Sequence, residues 1–123
     1  MNNYLEKLFF VVIFGGLCSM AVAQSNASSQ ERNKQIAKCG DWTMIVANSF
    51  KERGRTNDYE MANADAFQFF NYLTDKVFNG DSQKTVALVA SIRPDNQKML
   101  ARENMKEIEA FTNKCGLMRI NLK

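Results

Sequence analysis

The sequence predicts an all-α protein, a small bundle of about four helices stapled by one disulfide, with a short C-terminal tail packed on it. Three observations carry that expectation. Beyond residue 30, apolar side chains recur at three- and four-residue steps. Turn-forming residues interrupt that rhythm at 54–57, 79–81 and 93–95. Cys39 and Cys115 are the only cysteines outside an apolar N-terminal leader.

The leader comes first in the chain. Met1 to Lys7 is a short polar start, and Leu8 to Val22 is a mostly apolar run. Ala21-Val22-Ala23 then offers small residues where a signal peptidase reads, followed by polar Gln24-Ser25-Asn26. The apolar run is short for a membrane span of about 20 residues. A lipoprotein signal ending at Cys18 would want a leucine-like residue where Gly15 stands. The layout predicts residues 1–23 as a cleaved signal peptide, 24–30 as a flexible segment and 31–123 as a single helical domain. The expected location is the periplasm or the exterior, with no stable membrane insertion after cleavage.

Export makes a disulfide chemically reasonable. Cleavage removes Cys18 and leaves an even pair in an oxidising compartment. Closing a loop from residue 39 to residue 115 stabilises a fold by about 4–5 kcal/mol on the chain-entropy model. A redox or zinc pair would want close spacing and partner ligands, and the chain contains no histidine.

Ser28 with Glu31 resembles a capping box and predicts the start of the first helix. Ile36, Cys39, Thr43, Val46, Ala47 and Phe50 share its apolar face, with Trp42 on the flank. Lys34, Lys38, Asp41, Asn48 and Glu52 fall opposite. Gly54 ends it. The second helix follows Asn57 and carries the widest stripe: Tyr59, Ala62, Ala66, Phe69, Phe70, Leu73 and Val77, broadened by Phe67 and Phe78. Residues 83–92 are short and rich in β-branched side chains. Periodicity alone does not separate helix from strand here, and helix is assigned because no partner strand is evident. Pro94 is placed in the first turn of a last helix, where it lacks no needed donor. Ala101, Met105, Ile108, Phe111, Thr112 and Cys115 share a face of that helix, and Gly116 is its expected cap. The apolar tail 117–122 is expected to fold back on the bundle, in extended form.

Composition excludes more function than it suggests. Without histidine, the usual general base, metal ligand and Ser-His or Cys-His nucleophile are missing. No glycine-rich phosphate loop occurs. The net charge of +3 is mild and dispersed, which does not suit nucleic-acid binding. The chain is therefore not expected to be an enzyme, and no cofactor or metal is expected. Glu103 and Glu107, read as one turn apart, are a weak candidate cation site. Scattered methionines lack the clustering that copper(I) would need.

What remains is a surface for another protein. Lys51, Arg53 and Arg55 cluster at the end of the first helix, suited to an acidic partner or to the helix dipole. Trp42 and Tyr59 are aromatic candidates for partner contact. Cys39-Gly40-Asp41-Trp42 with the late Ile108…Cys115 resembles small helical acid-stress chaperones of the bacterial periplasm, although Cys115 stands nearer the C-terminus than their pattern has it. The architecture is also similar to that of small exported immunity proteins. The expected function is a non-catalytic protein-binding module of inhibitor or immunity type. The alternatives are an envelope stress chaperone and, third, a small-ligand or metal carrier.

Overall fold

The computed structural model describes the chain from Leu17 to Leu122, with side chains from Ser28 onward. Most of the expected signal peptide, residues 1–16, lies outside the described residues. The chain divides into two compact units, residues 1–32 and 33–123. In the first unit the described residues are helical from Leu17. The core and the site described below belong to the second unit.

Four α-helices make up most of the described residues: α1 (Leu17–Glu52), α2 (Thr56–Tyr72), α3 (Ser82–Arg102) and α4 (Met105–Ile120). No strand occurs among them. The fold is thus a small all-α bundle. Cys39 on α1 and Cys115 on α4 are joined by a disulfide, with their Cα atoms 5.1 Å apart. Both cysteines are buried, so the staple lies inside the core between the first and last helices. α1 has no start at Ser28: the helix runs through 24–30, the segment read as flexible.

The core is built from the stripes that the periodicity marks. Ile36, Ala37 and Cys39 of α1 cluster with Phe69 of α2, with Val89, Ile92 and Met99 of α3 and with Cys115 of α4, and Ala47, Ala62 and Ala66 are buried as well. Full burial of Phe69 or Ile36 stabilises the fold by roughly 1.5–3 kcal/mol each. α2 runs on into a π-helical turn, Leu73–Val77, whose wider spacing is seen in the bond from the Phe78 N–H to the Leu73 carbonyl. Asn79 and Gly80 then reverse the chain with positive φ. Asp81 caps α3 by accepting from the N–H groups of Gln83 and Lys84.

Residues 83–92 are helical, as assigned, but the expected break at Pro94 does not occur. Pro94 sits inside α3. An interior proline costs about 3 kcal/mol and frees the carbonyl of residue i−4. Here Pro94 and Ala90 are both exposed, so water can solvate that carbonyl. The buried side chains of Ile92, Asn96 and Met99 hold the helix on either side of the proline.

The chain breaks instead at Glu103, which adopts the left-handed conformation, and Asn104, whose side chain accepts from the Glu107 N–H at 3.2 Å. This break resets the helical phase. Ala101 and Met105, read as core-facing with Ile108, are exposed, and Met105 is 71% so. Gly116 is interior to α4, not its cap, and the tail is helical to Ile120. Met118 and Leu122 pack on the core, while Leu117 and Ile120 stay exposed.

Candidate functional site

The five sequence-derived contact candidates do not form one surface. Trp42 is buried; its indole N–H donates to Thr112 Oγ1 at 3.0 Å and its ring meets the edge of Phe111. It is a core residue that covers the disulfide region, lining a hollow of about 300 Å³ with Cys115. Lys51 Nζ lies 5.4 Å from the centroid of the Tyr59 ring. Arg55 stacks on Phe50 and pairs with Asp58 at 2.6 Å. Arg53 is exposed. The structure therefore gathers Lys51, Arg55 and Tyr59 at the α1–α2 turn, where their charge and ring faces largely satisfy one another.

Glu103 and Glu107 are not a turn apart on one helix. Glu103 closes α3 and Glu107 belongs to the first turn of α4. Arg102 donates to Glu107 through Nε at 3.0 Å. That hydrogen bond raises the guanidinium above its ordinary value. Among the described residues no group of three or more acidic or cysteine side chains is placed to hold a metal ion.

A more distinctive feature lies on the opposite side of α2. Ser82, Thr85, Val86, Val89, Ala90 and Arg93 form one face of α3 at steps of three and four. Phe67, Phe70, Asn71 and Thr74 form a matching face of α2 and the turn that follows it. Between these walls is a groove of about 460 Å³, which Met44 and Asp41 of α1 also line. Its apolar walls remain open to solvent: Phe67 is 48% exposed and Val86 is 62% exposed.

Each end of the groove has polar structure. Towards the turn, Thr74 and Thr85 join their hydroxyls at 2.7 Å. Towards the middle of α3, Arg93 Nε donates to Asp41 Oδ1 at 3.1 Å, and Asn96 Nδ2 donates to Asp41 Oδ2 at 3.0 Å. The same amide nitrogen also donates to the Lys38 carbonyl. Asp41 was expected on the solvent face of α1; it is buried, and this network is the reason burial is tolerated. With both carboxylate oxygens engaged, its charge is compensated in place.

Gly40 lets the groove form. It is buried, and a β-carbon there would stand 2.6 Å from Phe70 Cε1 and 3.0 Å from Phe69 Cβ. α1 and α2 approach this closely only because residue 40 has no side chain.

The sequence singled out none of the groove residues as a site. A signal was present. Phe67 sits one position off the buried Ala66–Phe69–Leu73 stripe, and Val86 one position off Thr85–Val89–Ile92. Two large apolar side chains just outside adjacent core stripes mark a surface that the monomer does not cover. Compared with known proteins, the chain matches no family model, no curated protein and no solved structure.

Proposed function

We propose that this chain is a small, exported, non-catalytic protein-binding module of inhibitor or immunity type, and that its working surface is the α2–α3 groove. The observation that supports this most is the exposure of Phe67 and Val86 on the walls of one preformed apolar groove. Contiguous exposed apolar surface on a small domain costs solubility and commonly marks a binding site. Helix-in-groove recognition uses this geometry: apolar anchors at i, i+3, i+4 and i+7 seated between two helices. The Cys39–Cys115 staple supports the exported location, since such bonds persist in oxidising compartments. Among the described residues no helix is long and apolar enough to cross a membrane.

The test is position-specific photocrosslinking in the host cell. A benzophenone side chain at position 67 or 86 should give one discrete protein adduct. The same group at position 60, on an exposed part of α2 that does not line the groove, should give none. The purified adduct partner should then bind the unmodified protein, and the double variant Phe67→Ala/Val86→Ala should weaken that binding at least about tenfold. Equal labelling at all three positions would overturn the reading.

A second reading draws on the groove's size. About 460 Å³ falls within the range of small-ligand sites, which favours a carrier of an apolar small molecule. Native mass spectrometry of protein purified from its own host would detect such a ligand as a fixed added mass lost in the Phe67→Ala/Val86→Ala variant.

A further inference from the structure

We propose that the partner segment is an amphipathic helix of about three turns that carries a carboxylate at one end, and that Arg93 receives that carboxylate. The proposal rests on the groove reading above and adds the chemistry of the occupant.

Length comes first. The groove-lining face of α3 runs from Ser82 to Arg93, which at 1.5 Å per residue is about 16 Å. Three turns of helix have the same length. The two walls present side chains at helical steps along that distance, with Phe67, Phe70, Val86 and Val89 placed to receive apolar anchors.

Charge supplies the polarity. Among the described residues, Arg93 and Asp41 are the only charged ones lining the groove. They do not present themselves equally. Asp41 is 3% exposed and both of its oxygens already accept hydrogen bonds. The Arg93 side chain is 54% exposed and spends only Nε on Asp41. Among the described residues its two terminal nitrogens have no acceptor. Arginine's planar fork suits a carboxylate, and the bond to Asp41 pre-orients the side chain so that little rotamer freedom is lost on binding. An incoming carboxylate would meet the uncommitted terminal donors of a side chain that is 54% exposed, while Asp41 stays buried. An incoming cation would meet only the guanidinium. The opposite end, at Ser82 and the Thr74–Thr85 hydroxyl pair, is lined by uncharged side chains, and the nearby carboxylate of Asp81 offers a partner carboxylate nothing there. The groove therefore distinguishes one end of a partner helix from the other.

The probe is a phage library of 12-residue peptides panned against the intact oxidised protein, with counter-selection on Phe67→Ala/Val86→Ala. The enriched peptides should combine an apolar i, i+3, i+7 pattern with Asp or Glu at one end. In the strongest synthetic peptide, Glu→Gln should weaken binding to the wild-type protein about tenfold. On Asp41→Asn/Arg93→Gln, which replaces the ion pair by a neutral one, the same peptide change should matter less than about twofold. The variant is scored only if it still binds the Gln peptide as tightly as the wild type does, so misfolding cannot mimic the result. Groove-dependent peptides that tolerate Glu→Gln would overturn the carboxylate proposal and leave the groove reading standing. Failure to enrich any peptide sensitive to Phe67 would overturn the groove reading itself.

Discussion

Gly40 lies against the ring of Phe70, close enough that a β-carbon at residue 40 would stand 2.6 Å from Phe70 Cε1. The contact ties the core to the groove, because the Phe70 ring is also part of the groove wall. Gly40→Ala should gain about 1 kcal/mol of helix propensity and lose about 1–3 kcal/mol to overpacking. We expect a net loss of about 1 kcal/mol, seen as a melting temperature lowered by about 4–8 °C. Since Phe69 Cβ blocks movement on one side, the Phe70 ring should be displaced into the groove. Chemical shifts of Val86 and Val89 should report that displacement.

Cys39→Ala/Cys115→Ala should cost about 4–5 kcal/mol, the denatured-state entropy of the closed loop. Typical domain stabilities are about 5–15 kcal/mol, so the double variant should unfold at much lower urea concentration. Urea titrations of wild type and variant, followed by Trp42 fluorescence, measure the difference. Equal midpoints would show that the staple contributes nothing.

Asp41→Ala removes the acceptor shared by Arg93 and Asn96 and leaves the buried Asn96 amide with only the Lys38 carbonyl. A loss of about 2–4 kcal/mol is expected from the broken buried network. Asp41→Asn/Arg93→Gln keeps the hydrogen-bonding shape without charge and should cost less than Asp41→Ala alone. Denaturant unfolding of the three proteins ranks them.

Glu103 holds a left-handed conformation, φ 52°, at the α3–α4 break. For a residue with a β-carbon this costs about 1–2 kcal/mol. Glu103→Gly should therefore stabilise the protein by about 1 kcal/mol, provided its chain entropy does not absorb the gain. A rise in melting temperature of a few degrees is the expected readout.

Phe67 and Val86 should matter little to folding and much to surface behaviour. Phe67→Gln/Val86→Thr should cost no more than about 1–2 kcal/mol, part of it the edge-on contact of Phe67 with the Phe70 ring. It should also reduce binding of a hydrophobic dye to the folded protein. A large loss of stability would place these residues in the core instead.

The sequence and the structure agree on some residues and part at others. The stripes through Ile36, Phe69 and Val89 were legible because helical periodicity is a local property, set by which side chains share a face. The helical state of 83–92 did not follow from periodicity, which fits a short buried strand as well; it rested on the absence of an evident partner strand. The expected break at Pro94 does not occur, because proline's preference is weak beside the burial of Ile92, Asn96 and Met99 around it. The shift of the break to Glu103–Asn104 then moved Met105 out of the core. Asp41 was misplaced for a different reason. A carboxylate reads as solvent-facing unless its partners are known, and Arg93 and Asn96 lie more than fifty residues away.

By itself, the sequence determined an all-α chain whose two late cysteines each fall on the apolar face of a helix. Periodicity and cysteine count are written along the chain, so no neighbour is needed to read them. The cysteine count already paired Cys39 with Cys115, whereas only the tertiary structure decided that Asp41 is buried against Arg93 and Asn96, and that Phe67 and Val86 line one open groove. Those are relations between distant residues. They depend on how the helices approach one another, which is fixed by packing contacts such as Gly40 against Phe70 that no single stretch of sequence contains.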